Sequence, residues 1–460
     1  MTTLWSGRFD GAPDAAAFSF GASFRFDRRL FEDDVTGSLA WARALAKAGV
    51  LADDDARRIE DALKAILEQG RSDPSFVNGP DEDVHSFVER LLVERLGDAG
   101  RRLHTGRSRN EQVSLDLRLY LRRRIPELQR AVAGVVGAFV RQAEAAGDGL
   151  MPSFTHFRPA QPVLVSHFFL SHAAPLQRDY ARFDQARQES DALPLGSGAV
   201  AGTAYAIDVE LLARALGFSR VVANSIDASS DRDFAATFLY ACAMTMVHLS
   251  RMAEDLIILC GDEYRFFELS DALSTGSSMM PQKKNPDPLE LVRGKAGRTF
   301  GHLIALMTTM KGLPTGYNKD LQEDKEGVFD AEDTLAGCLA MAHSVIDGLA
   351  LNRDRAASAA SGLLLATDVA DYLVGRGVPF RRAHEIVGAL VRQLDAQKRD
   401  FASLSLDEWR AASDRFEADI VARVTPRVSV AAKRTPQSTA PAAVDGRLRE
   451  IRVWLTAVLR

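Results

Sequence analysis

From Phe234 to Ser250 the chain carries no Asp, Glu, Lys or Arg, within a segment of helical pattern. A helix made of these residues has no charged face to offer water. The run sits at the lower edge of a bilayer span. Thr237, Tyr240, Thr245, His248 and Ser250 lie inside it, however, and Arg232, Asp233, Arg251, Glu254 and Asp255 flank it closely. It therefore reads as a helix buried on all sides in a bundle. Further long helical patterns cover 109–146, 163–190, 232–260, 288–310 and 325–351, several far above the usual helix length of about 11–12 residues. The expected fold class is all-α, an elongated bundle of long helices forming a multi-helix core across subunits. Smaller helical domains are expected at each end, giving divisions at 1–108, 109–351 and 352–460.

Elsewhere the pattern is also helical. Gly7, Gly11, Pro13 and Gly21 make the first twenty-nine residues irregular. Helices are expected from Leu30 to Ala48 with Gly49 just past the end, and from Asp53 to Gln69 stopping at Gly70. Glu82–Leu96 is amphipathic, with His85 beside its apolar stripe as a structural hydrogen bonder. Asp208–Leu216 closes at Gly217. Asp354–Gly362, Thr367–Val374, Pro379–Arg399, Ser405–Ser413 and Asp445–Leu459 follow, with Ser405 and Glu408 forming a capping box. Only Val163–Val165 and Val428–Val430 look strand-like. Net charge is −5 over 460 residues with no basic block, which excludes nucleic acid as a partner. Cys242 and Cys260 read as core thiols, and the odd count of three cysteines, with Cys338, suits a reducing compartment. The first residues lack the apolar run of a signal peptide. A cytoplasmic location away from membranes is expected.

The chemistry-bearing residues lie in loops between these helices. In His104–Gln112, Ser108 and Glu111 make a capping box, so a helix starts at Arg109. Arg107, Arg109, Asn110 and the free N–H groups of that helix end suit a carboxylate ligand. In 152–161, Pro159 and Pro162 keep the chain out of helix, and His156 sits beside Thr155 where catalytic residues concentrate. His167 and His172 follow within a helix as packing residues. Gly196, Gly198 and Gly202 lack the dinucleotide spacing and follow a helix, so they read as a close-packed glycine loop. Ser274–Glu290 holds small residues, Lys283, Lys284, Asn285 and three prolines, and fits neither helix nor strand. Gly312–Lys325 offers Tyr317, Lys319, Gln322 and Lys325 as binding groups.

GSSMMPQKKNPD closely resembles the signature loop of the fumarase/aspartase superfamily, and 104–112 and 152–161 resemble its other two signature regions. LWSGRF, HTGRSRN, THFRPAQP and YNKDLQEDKE resemble the argininosuccinate lyase branch in particular. The resemblance spans residues 4 to 326. It implies cleavage of argininosuccinate to arginine and fumarate without cofactor or metal. It also implies a homotetramer whose active sites are each shared by three subunits.

By this resemblance Ser277 is the base, and His156 with Thr155 is the acid that protonates the leaving nitrogen. Family members are also read with these two roles exchanged. Lys283 and Asn285 would stabilise the charge that moves onto the carboxylate as the neighbouring proton leaves. Glu290 would orient His156 from a neighbouring subunit. Ser23, Asn110, Thr155, Tyr317, Gln322 and Lys325 fall on substrate contacts, and Arg109 on a bidentate carboxylate clamp. The small residues of 274–290 suit a lid hinged at Gly276. Glu111, Phe157-Arg158 and Met279 depart from the usual family residues, and none of these positions transfers a proton. The rival readings are another fumarate-releasing lyase, acting on adenylosuccinate, aspartate or malate, a crystallin-like structural member, and a binding module. YNKDLQEDKE weighs against the other lyases. The presence of Ser277, His156, Lys283 and Asn285 weighs against the last two.

Overall fold

The computed structural model of the protein describes residues 14–459. The expected all-α class holds. The five longest helices are Arg109–Ala146, Val165–Glu189, Asp233–Cys260, Asp287–Met310 and Asp324–Asp347. Along Asp233–Cys260, Phe234, Phe238, Leu239, Cys242, Met246 and Leu249 are buried, while Tyr240 is 45% exposed and breaks the all-round burial expected of it. Among the described residues no single helix is long and apolar enough to cross a membrane.

The chain divides into two compact units. The first comprises the residues up to Gln129 with Ala181–Met244 and Gly297–Leu335. Its N-terminal part packs Phe31–Lys47, Asp53–Ser72 and Val84–Leu96 together. Phe87 is the aromatic centre, stacked on Phe24 at 5.1 Å and edge-on to Phe76 at 5.8 Å. Trp41 is fully buried, and its indole N–H donates to the Thr105 carbonyl at 3.2 Å. Gly70 does not stop its helix, which runs on to Ser72. It is there because a Cβ would collide with the Phe31 ring. Gly49, Gly97 and Gly217 do end helices, each with a positive φ.

The second unit comprises Arg130–Tyr180, Thr245–Ala296 and the residues from Ala336 on. Its C-terminal helices Ala366–Gly375, Phe380–Ala396 and Leu406–Ala412 close around Leu373, Leu390, Leu394, Phe401, Trp409 and Phe416. The Ser405–Glu408 capping box is present.

Several expectations change. The supposedly irregular start contains helices Ala15–Gly21, capped by Asp14 onto Ala17 N–H, and Phe24–Asp27. LWSGRF lies outside the described residues. Val428–Val430 belongs to a short helix, Pro426–Ala431, because Thr425 caps it and Pro426 opens it. The last helix starts at Pro441, earlier than expected, for the same N1-proline reason. Cys260 ends its helix only part-buried, unlike Cys242. The polar loop at 152–161 is a β-hairpin, Leu150–Thr155 against Arg158–Leu164. Each strand of a two-stranded hairpin has one unpaired side, and a proline whose missing N–H would fall on that side costs no ladder bond. The register slips between Pro152 and Phe154, where the Ser153 hydroxyl donates to the Gln161 carbonyl at 2.8 Å.

Candidate active site

In the second unit, His156 and Phe157 are the two turn residues of the hairpin, since Thr155 pairs with Arg158. Both have left-handed backbones, φ 54° and 57°. That is the signature of a type I′ turn, usually filled by Asn-Gly. Phe154 anchors the hairpin on Tyr264 and Phe266, with ring centroids 5.6 and 6.5 Å away. Thr155 and His156 are exposed, and no described residue hydrogen-bonds the imidazole.

The 274–290 loop is also in this unit. It is exposed, with Met279 at 87%. It is not wholly irregular, because Thr275–Gly276 pairs antiparallel with Lys284–Asn285. Gly276, the expected hinge, stands opposite Lys284 in that ladder. Thr275 Oγ1 donates to Asp287 Oδ2 at 2.5 Å, and Asn285 Nδ2 reaches Thr275 Oγ1 at 3.5 Å. Ser277 and Lys283 are the first residues beyond the ladder on its two arms. Ser277 Oγ accepts the backbone N–H groups of Met280 at 3.0 Å and Met279 at 3.3 Å. Two donors aimed at one hydroxyl oxygen favour its deprotonated form. The Lys283 ammonium has no hydrogen-bond partner among the described residues. Glu290 is not in the loop but in the first turn of Asp287–Met310, where it is exposed.

In the first unit, Ser23, Gln322 and Arg109 lie beside the segment Asn78–Val84. Ser23 N–H donates to the Glu82 carbonyl at 2.8 Å, and the Ser23 hydroxyl to Asp27 Oδ2 at 2.5 Å. Asp27 in turn accepts Val84 N–H at 2.9 Å. Gln322 Nε2 donates to the Gly21 carbonyl at 3.1 Å. Gln322 lines an open cavity of about 1070 Å³ with Phe20, Arg25, Asn78, Asp81 and Lys319. Arg109 donates to Gln112 at 2.9 Å and approaches Glu89 at 3.4 Å. Burial pushes the Asp83 carboxyl up, but Arg109 and His85 outweigh it and hold it at about 2. Burial raises the Tyr317 phenol to about 12. Lys325 is buried in the first helical turn of Asp324–Asp347 and donates to Asp324 Oδ1 at 2.7 Å. Asp324 also pairs with Arg232, and both are fully buried. Burial raises the Asp324 carboxyl, and Lys325 with Arg232 brings it below its ordinary range.

Behind Arg109 lies a buried polar cluster. Gln112 Nε2 donates to Asp34 Oδ1. His85 Nδ1 stands 2.9 Å from the same oxygen and 3.1 Å from Asp116 Oδ2. Burial lowers the His85 imidazole, but Asp116 and Asp34 raise it to about 10, so it is a charged hydrogen bonder. Glu111 does more than cap. Its Oε1 accepts Ser108 N–H at 3.0 Å, and its Oε2 accepts Gly196 N–H at 2.8 Å and Gly198 N–H at 3.0 Å. The Ser108 hydroxyl takes Asn110 N–H, one residue earlier than the expected box. Gly196, Gly198 and Gly202 all have positive φ, and a Cβ at Gly198 would meet the Gly202 carbonyl.

Ser23, Tyr317, Gln322, Lys325 and Arg109 are thus gathered within one unit, and Ser277, Lys283 and Asn285 on one loop of the other. Asp27, Asp83, Asp324 and Arg232 escaped the sequence reading. Asp324 was hinted at by its place in YNKDLQEDKE beside Lys325.

The chain matches the Lyase family over residues 7–301 and the Argininosuccinate lyase C-terminal family over residues 363–431. It is 48% identical over 438 residues to the argininosuccinate lyase of Geobacter sp. (strain M21), covering 95% of this chain and 96% of that protein. The corresponding protein of Roseiflexus castenholzii is 47% identical over 441 residues, covering 96% of this chain and 97% of its own. Among solved structures, EDDS lyase in complex with formate is similar at a TM-score of 0.82 and 26% identity, over 98% of this chain and 94% of that one.

Proposed function

The chain belongs to the argininosuccinate lyase family, and from that premise we propose how its residues carry out the reaction and how its copies assemble. It cleaves argininosuccinate to arginine and fumarate, and so serves arginine biosynthesis. Near-full-length identity to lyases of that name carries this conclusion.

Ser277, as alkoxide, removes the proton beside the succinyl carboxylate. The observation that supports it is the pair of N–H donors on its hydroxyl oxygen. The electron pair moves onto the carboxylate, forming an aci-carboxylate dianion. Lys283, whose ammonium is unengaged, and Asn285 face that charge. As the electrons return, the C–N bond breaks, the double bond of fumarate forms, and His156 protonates the departing guanidino nitrogen. Thr155 and Glu290 orient His156, with Glu290 supplied by a neighbouring subunit. Arg109 and Asn110 clamp a carboxylate at the helix start, and Ser23, Tyr317, Gln322 and Lys325 hold the remainder. Purified protein incubated with argininosuccinate should release fumarate, followed by its ultraviolet absorbance. A folded protein that yields none refutes the activity.

The assembly is a homotetramer with sites shared by three subunits, in the cytoplasm. Its support is the exposed apolar face of Asp287–Met310. Leu291, Ile304 and Met307 are 61%, 63% and 56% exposed, and a side chain at Gly294, Gly297 or Gly301 would meet open space. Such a stripe of large and small residues suits close helix packing against another copy. Mixing an inactive His156 variant with an inactive Ser277 variant should restore part of the activity. Zero activity despite demonstrated subunit exchange rules out His156 and Ser277 of one site coming from different subunits.

A further inference from the structure

The two adjacent lysines of the 274–290 loop are used in opposite ways. Lys283 leaves its ammonium unengaged. Lys284 turns back under the loop. Its Nζ donates to the Leu269 carbonyl at 2.5 Å and lies 2.8 Å from Asp271 Oδ1 and 3.4 Å from Glu268 Oε1. An ammonium has three protons, and here three acceptors meet them. All three belong to the segment Glu268–Asp271, just ahead of the loop.

Lys284 occupies a particular place in the loop. Its backbone is half of the two-rung ladder, opposite Gly276. Ser277 follows Gly276 directly, and Lys283 precedes Lys284 directly. The ladder is thus the root from which both residues project. Two rungs alone form a weak element. The side-chain bond from Thr275 to Asp287 ties one end of the ladder to the following helix. The bonds from Lys284 tie the other arm to the preceding segment.

We infer that Lys284 is a positioning residue: it clamps the root of the loop to Leu269, Asp271 and Glu268, and so holds Ser277 and Lys283 at the separation that the reaction requires. Lys284 touches no reacting atom itself. The inference rests on the reading of Ser277 and Lys283 as reacting groups. A displacement of about 1 Å at such groups costs on the order of 10²-fold in rate, so loss of the clamp should appear in kcat. Arg109 and Asn110, which clamp substrate, lie outside the loop, so KM should stay nearly unchanged.

The test combines kinetics with amide hydrogen exchange on the full-length enzyme. Lys284→Met keeps the stem and removes the ammonium. It should speed exchange at 275–276 and 284–285 and lower kcat by roughly 10–100-fold with little change in KM. Lys284→Arg, whose guanidinium reaches the same acceptors, should recover much of both losses. The double variant Glu268→Gln, Asp271→Asn should show a milder form of the same loss, because the Leu269 carbonyl remains. Adding Lys284→Met to that pair should give the Lys284→Met phenotype and no more. Unchanged exchange in Lys284→Met overturns the clamp, and a fully additive triple variant overturns positioning in favour of direct substrate contact. Ser277→Ala is measured alongside. If it stays active, the underlying reading of the loop has failed, which is a different result from a failed clamp.

Discussion

Replacing Glu111 by Gln tests whether this carboxylate joins the start of the Arg109–Ala146 helix to the glycine loop. The carboxylate accepts three backbone N–H groups, one from Ser108 and two from Gly196 and Gly198. A glutamine has one acceptor oxygen. If that oxygen faces the glycines, its NH₂ opposes Ser108 N–H. If it is flipped, two buried N–H groups lose their partner. Hydrogen bonds to a charged group contribute about 1.5–3 kcal/mol, and an unsatisfied buried group costs about 1–3 kcal/mol. Burial opposes the charge and pushes the Glu111 carboxyl up, so neutralisation offsets part of the loss. A local weakening of about 2–4 kcal/mol follows. A chain of this size need not unfold in two states, so native-state amide exchange is the suitable assay. At about 1.4 kcal/mol per factor of ten, exchange at Gly196, Gly198 and Ser108 should speed roughly 30- to 700-fold. Asn110 and Arg109 stand at the loosened helix start, so KM for argininosuccinate should rise. Protection within about threefold of the parent at all three amides would refute the cross-link.

Ser277→Ala should abolish fumarate release while leaving the assembled state unchanged by light scattering; near-normal turnover puts the base elsewhere. His85 gives a pH signature. Its folded value of about 10 lies above the ordinary 6.5, so its contribution is complete below about 6.5 and is lost as pH rises through 10. Thermal midpoints of the parent should therefore fall between those limits, and those of His85→Gln should start lower and fall less. Parallel curves would show that the imidazole is not charged in the folded state. Gly70→Val drives a side chain into the Phe31 ring and should cost about 1–3 kcal/mol by overpacking, read as a lower thermal midpoint with kcat unaffected.

The helices were legible because their signals are local. Ser108 marks a start, and Gly49, Gly97 and Gly217 mark ends without reference to anything distant. Signals that depend on a partner far along the chain misled. Gly70 has the composition of a helix stop, but its reason for being glycine is Phe31. The hairpin at 150–164 was hidden because Pro152, Pro159 and Pro162 read as loop and no Asn-Gly marks its turn. In the site, motif residues were legible one by one. The acids that hold them were not, since Asp27 beside Ser23 and Asp324 beside Lys325 show their use only through the distant partners that folding brings, Val84 N–H and Arg232. Glu111 was legible as a cap, whereas its bonds to a loop 85 and 87 residues away were not.

The turn at His156-Phe157 places two residues with side chains where Asn-Gly would sit without strain. Left-handed backbone disfavours each by roughly 1–2 kcal/mol. Any search for sturdier variants of this enzyme will meet an easy gain at these two positions, since glycine at either relieves the strain. At Phe157 that gain is open to selection. At His156 the same substitution removes the imidazole assigned to the leaving group. Selection for heat resistance and selection for turnover therefore pull in opposite directions at one residue and not at its neighbour. A library screened only for stability should accumulate glycine at both sites, and one screened also for fumarate release only at 157.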